Sequence, residues 1–87
     1  MISSRTTGSF RAAFQNLPAE IQAQARKAYR LFEADPAHPS LRFKKVDPAQ
    51  DIYSVRVGLG YRALGLLEGS LVTWFWIGSH ADYDRLV

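Results

Sequence analysis

Two arginines, Arg56 and Arg62, stand on either side of a Gly-Leu-Gly loop, and a histidine, His80, follows an aromatic run. Guanidinium groups match oxyanions bidentately, and imidazole titrates near neutrality. These residue types therefore fit anion recognition and proton donation to a leaving group. If the loop has three residues centred on Leu59, Arg56 and Arg62 become direct cross-strand neighbours. Like charges placed opposite one another destabilise a sheet by roughly 0.2–1 kcal/mol, and an anion between them accounts for the pair. A two-residue turn shifts the register by one and puts them on opposite faces. They are then two solvated arginines, each open to a carboxylate.

Arg42, Lys44 and Lys45 extend the positive charge along the preceding segment. Only one of the two lysines can share a face with Arg56, and a basic triplet is also what an ordinary solvated strand contains. His80 sits after Gly78-Ser79, at the rim of the sheet its strand enters; as a surface or capping histidine it needs no function. Tyr83, between Asp82 and Asp84, has the chemistry to donate to a phosphate or stack a base, or to pack onto the core. The run Trp74-Phe75-Trp76 has the composition of a stacking platform, but in a buried strand it is expected to be core. His38, between two prolines, reads as a loop residue. No Walker loop, HExxH, GxSxG or paired metal ligands occur. The chain has no cysteine, which excludes disulfides, thiolate metal sites and a cysteine nucleophile. No metal or cofactor is expected.

The elements that position these residues fall into two halves. Phe10, Ala13, Phe14 and Leu17 recur at helical spacing, with Ser9 as the expected N-cap. Pro18 opens a second helix with Glu20 in its first turn, and Ile21, Ala25, Ala28, Tyr29 and Phe32 form its apolar stripe. Asp35-Pro36 and His38-Pro39 end it. Beyond Pro39 the period becomes two: Leu41, Phe43 and Lys45 share one face of a first strand, and Arg42, Lys44 and Val46 share the other. Asp47-Pro48 is a turn. Residues 52–57 and 61–67 are strands across Gly58-Leu59-Gly60, and Glu68-Gly69-Ser70 leads into a strand over 71–77 that is apolar on both faces. Residues 79–87 close the chain as a short helix or a loop. The expectation is an α+β domain, with an N-terminal helical hairpin packed on a small antiparallel β-sheet whose other face is a working surface.

With 87 residues the chain supports a single domain, spanning 1–87. Its net charge of +3 is ordinary, but eight arginines against three lysines favour phosphate contact and base stacking, hence a nucleic-acid partner. No apolar run approaches the roughly 20 residues needed to cross a bilayer. The first ten residues lack an apolar signal core. The expected location is the cytoplasm, without membrane association.

Three stretches carry a resemblance: LPAEIQAQARKAYRLFEADPAHPSLRFKKV (17–46), IYSVRVGLGYRALGLL (52–67) and VTWFWIGSHADYDRLV (72–87). Together they resemble the RelE/ParE superfamily of toxins from bacterial type II toxin–antitoxin systems, over nearly the whole chain from about residue 9. The hairpin Y-x-V-R-V-G…Y-R-A-L followed by a strand ending in G-S-H is the specific combination. Relatives often begin with an extra strand; MISSRTT is too short and polar for one, so that edge is expected to be trimmed.

The resemblance implies a growth-inhibiting toxin neutralised by a cognate antitoxin, which would wrap the helical hairpin or cover the basic face. In the RelE-like branch the toxin acts on mRNA in the ribosomal A site. The RNA 2′-hydroxyl displaces the 5′-oxygen and leaves a cyclic phosphate. Carried over by position, Arg62 matches the arginine that contacts the scissile phosphate and Arg56 a basic position on the preceding strand. His80 falls where a general acid stands, and Tyr83 matches a nearby tyrosine. Some relatives use a glutamate on the first strand as base, but residues 39–46 contain no carboxylate; others use a lysine, for which the resemblance offers Lys44 or Lys45. Lys44, Lys45, Arg42 and Tyr83 are the implied RNA contacts. The ParE-like branch instead poisons DNA gyrase and needs no catalytic site, and a member of the fold that binds without cutting is the third reading.

Overall fold

A computed structural model describes residues 2–86; Met1 and Val87, the ends of the expected domain, lie outside the described residues. The elements are β1 (Ser3–Thr6), α1 (Gly8–Gln15), α2 (Ala19–Ala34), a 3-10 turn (Pro39–Leu41), β2 (Lys44–Lys45), β3 (Ile52–Val57), β4 (Tyr61–Glu68), β5 (Leu71–Ser79) and α3 (His80–Leu86). One five-stranded sheet has the order β1-β5-β4-β3-β2. The helical hairpin covers one face, and α3 packs against β4 and β5.

The α+β architecture is as expected, with three corrections. First, Ser3–Thr6 does form a strand, pairing parallel with β5 from Ser3↔Leu71 to Thr6↔Trp74. The sheet is therefore mixed rather than wholly antiparallel. An edge strand needs backbone hydrogen bonds more than apolar side chains; the apolar partner, β5, supplies the template. Second, the segment after Pro39 does not become a strand at Leu41. Leu41 is 1% exposed, tucked into the core at the end of the 3-10 turn, and Arg42 follows in the left-handed region at φ 48°. That conformation breaks the extended path, so only Lys44–Lys45 pairs with β3. Third, Thr7 rather than Ser9 caps α1: Phe10 N donates to Thr7 Oγ1 at 3.1 Å, while the Ser9 hydroxyl bonds the Phe75 carbonyl at 3.2 Å.

Helix α2 follows its predicted stripe, burying Ala25 and Phe32. Asp35 ends it, accepting from Ala37 N at 3.1 Å in the turn that carries Pro36. The core lies between α2 and one sheet face, with Val55, Val57, Ala63, Val72, Trp74 and Ile77 from the strands. Phe32 meets Trp74 edge-on at 5.4 Å and Phe43 at 5.0 Å, and Phe43 stacks on Tyr53 at 4.8 Å. Gly65 makes room for Trp74: a Cβ there would stand 2.7 Å from Trp74 Cε3 and 2.6 Å from Val72 Cγ1.

At this point the β4–β5 register shifts. Leu64 opposes Trp76 but Gly65 opposes Trp74, so Phe75 is the extra residue of a bulge. Trp74 is core, as expected of the aromatic run. Trp76 is not: it is half-buried, on the face away from the helices.

Candidate active site

The β3–β4 loop has three residues, and the register pairs Arg56 directly with Arg62, which pairs in turn with Gly78 on β5. Val55 and Val57 point into the core, so alternation puts Arg56 on the opposite, far face. Ser54 shares that face and pairs with Lys44, while Lys45 pairs with Tyr53 on the core side. Lys45 Nζ binds Asp51 at 3.2 Å. Of the two lysines, Lys44 therefore joins the arginine row. Arg42, exposed and left-handed ahead of β2, stands outside the paired rows.

The sequence Ser79-His80 turns β5 directly into α3. His80 N donates to the Gly60 carbonyl at 2.7 Å, tying the start of α3 to the hairpin loop. Ser79 Oγ accepts from Asp82 N at 3.2 Å and caps the helix. The result brings Tyr83, 8% exposed, against Arg62: the guanidinium carbon lies 5.2 Å from the Tyr83 ring centroid. The His80 and Tyr83 rings are 6.1 Å apart. His80 Nδ1 is 3.1 Å from Asp84 Oδ2.

Arg62 is the unusual member. Its Nε and Nη1 are buried and, among the described residues, have no hydrogen-bond acceptor. Buried donors on a permanent cation are costly when unpaired. An oxyanion would satisfy them, but only after the groups that cover these two nitrogens move, since both atoms are buried with the Tyr83 ring against the guanidinium. Arg56 differs: its Nε donates to the Gly58 carbonyl at 3.0 Å. Gly58 holds φ +59°, with the Gln24 side chain occupying the space of a Cβ, so this loop requires glycine there.

Two residues of this face escaped the sequence reading. Trp76 was assigned to the core; a Cβ on Gly78 would lie 2.6 Å from its Cζ2, so the indole rests against the residue that pairs with Arg62. Only the bulge at Phe75 reveals this. Asp84 carried a signal in its i,i+4 spacing from His80, which counts only once residues 80–86 are known to be helical. The cluster can bind an anionic oxygen at Arg62 and exchange a proton at His80. Among the described residues, no group of three His, Cys, Asp or Glu side chains is placed to hold a metal ion.

The model of the ParE-like toxin domain matches residues 19–85. The chain belongs to this family. It is a ParE-like toxin domain. Solved structures share the fold of this ParE-like domain. The RelB–RelE antitoxin–toxin complex of Methanococcus jannaschii matches with a TM-score of 0.74 at 17% identity, covering 94% of this chain and 98% of that one. YafQ of Escherichia coli matches at 0.74 and 10% identity, over 95% and 98%. The RelBE2 toxin–antitoxin complex of Mycobacterium tuberculosis matches at 0.72 and 20% identity, over 91% and 98%. No curated protein sequence matches the chain. Among the described residues no helix of the toxin is long and apolar enough to cross a membrane.

Proposed function

We propose that this toxin is a ribosome-dependent mRNA endonuclease. The observation that carries the reading is Arg62: a guanidinium with two buried donors that have no acceptor among the described residues, on the face where Arg56 and Lys44 lie and Tyr83 and His80 converge. In the proposed reaction the 2′-hydroxyl attacks the adjacent phosphorus and the P–O5′ bond breaks, leaving a cyclic phosphate. Arg62 and Arg56 stabilise charge on the non-bridging oxygens, and His80 donates a proton to the departing 5′-oxygen. Lys44 is the candidate base, since Lys45 is on the other face and bound to Asp51. On this reading the protein works in the cytoplasm, at the ribosomal A site.

The test is primer extension on an mRNA in a reconstituted translation reaction. New 5′ ends should appear only while ribosomes translate, and His80→Ala and Arg62→Ala should each lower cleavage by roughly 10²–10³-fold. If both variants cut and arrest growth like wild type, the assignment is wrong. The ParE-like family match favours gyrase inhibition as the second reading. Intact mRNA together with lost supercoiling activity of DNA gyrase would select it.

For the proposed antitoxin partner, the reading assigns a surface on the other side of the sheet. A groove of about 350 Å³ between α1 and α2 has Phe10, Phe14 and Tyr29 along it and Arg11, Arg26 and Arg30 among its lining residues. An acidic, amphipathic antitoxin segment complements this aromatic and cationic combination. The double variant Arg26→Glu/Arg30→Glu should weaken antitoxin capture while leaving mRNA cleavage intact.

A further inference from the structure

His80 has two ring nitrogens, and the partner of one decides what the other can do. Asp84 Oδ2 lies 3.1 Å from Nδ1, one helical turn along α3. An ionised carboxylate only accepts hydrogen bonds, so this contact requires a proton on Nδ1. Nε2 is then the nitrogen left to exchange a proton with anything outside the chain. The rest of the local structure holds the same arrangement. The His80 backbone is anchored on the Gly60 carbonyl at 2.7 Å. The Ser79 hydroxyl caps the helix through Asp82 N at 3.2 Å. Arg85, the cation of this turn, pairs with Asp82 at 3.3 Å, so among the described residues no other cation pairs with Asp84.

We propose that Asp84 is a positioning residue that holds the His80 ring by Nδ1 and presents Nε2 to the substrate. The proposal rests on the reading of His80 as proton donor and adds the group that orients it. As the P–O5′ bond breaks, the Nε2 proton passes to the 5′-oxygen, and the ring is left neutral with its proton on Nδ1. That is the tautomer the Asp84 contact selects, so the ring finishes the step without rearranging. His80 and Asp84 are about half exposed, at 49% and 60% of their side chains, and exposed pairs at this spacing add little to stability. Removing the carboxylate should therefore disturb the ring and spare the fold.

The molecule contains its own reference. The other histidine, His38, accepts the Ser40 backbone N–H at Nδ1, at 3.2 Å, so its neutral ring carries the proton on Nε2. Long-range ¹H–¹⁵N spectra of the full-length chain, recorded where both rings are neutral, should show opposite tautomers for His38 and His80. Asp84→Asn should shift His80 toward the Nε2–H form, leaving His38 and the backbone amide spectrum unchanged, and Asp84→Glu should restore the wild-type tautomer. In the translation reaction, Asp84→Asn should cut mRNA about tenfold or more slowly, well short of the roughly 10⁴-fold loss seen for the buried carboxylate of a serine-protease triad. Asp84→Glu should recover most of that rate. A His80 tautomer indifferent to Asp84→Asn, or cleavage undiminished by it, overturns the proposal. Opposite tautomers in a wild-type protein that leaves mRNA intact would instead remove the ribonuclease reading and keep the hold of Asp84 on the ring.

Discussion

The two faces of the sheet differ in what they leave unsatisfied. On the helix side, Phe32, Trp74, Val55 and Val57 interlock, and Gly65 gives up its side chain so that the Trp74 ring can lie over it. Among the described residues, the buried side-chain polar atom left without a partner there is Trp74 Nε1. The far face sets two arginines opposite each other; among the described residues, two buried nitrogens of one of them have no acceptor and the hydroxyl of the fully buried Ser54 has no partner. Packing accounts for the first face. It does not account for the second, where stability is given up in side chains suited to an anion. That imbalance between the two faces is what the proposed active site rests on.

Five substitutions would break or sharpen this contrast. The largest stability effect belongs to the core: Phe32→Ala should lose about 3–5 kcal/mol, measured by urea unfolding, because Phe32 contacts both Trp74 and Phe43. A loss below about 2 kcal/mol would mean the core is looser than its geometry. Arg62→Met should do the reverse, abolishing cleavage while leaving stability within about 1 kcal/mol of wild type or raising it. If Arg62→Met unfolds the protein, Arg62 is structural and the contrast between faces fails.

The paired glycines separate the faces more finely. Gly65→Ala drives a methyl into Val72 and Trp74, both fully packed, and should cost about 1–3 kcal/mol. Gly78→Ala meets Trp76 first, a half-buried side chain rather than a core one, so its cost should be smaller by at least half. Equal melting-temperature losses for the two would place Trp76 in the core after all. Smallest is Ser54→Ala, which removes an unpartnered buried hydroxyl. It should be neutral or stabilise by up to about 1 kcal/mol, and a clear loss in thermal melts would reveal a bond the far face depends on.

Much of this was legible before the fold. The α2 stripe buries as its spacing predicts, because helical periodicity is local. The Arg56–Arg62 pairing followed once the turn length was known, and Gly58 and Gly60 bracket a three-residue loop. The strand at Ser3–Thr6 was not legible: its side chains are polar, and the reason it pairs lies in β5, more than sixty residues away. Leu41 and Phe43 mimic a strand face, yet the left-handed Arg42 between them is a tertiary compromise that buries Leu41. The choice of Lys44 over Lys45, and the exit of Trp76 from the core, hang on register and on one bulged residue.

By itself the sequence determined the types of α1, α2 and β3–β5, the residue chemistry and the family, since these depend on local period, turn residues and side-chain identity. Only the tertiary structure decided which groups share a face and which partners they meet. Register has a period of two, so a shift of one residue exchanges the faces, and no local signal reports it. The orphaned donors of Arg62, the Tyr83 ring against them and the Asp84 contact on His80 all arise where α3 is folded back on the sheet.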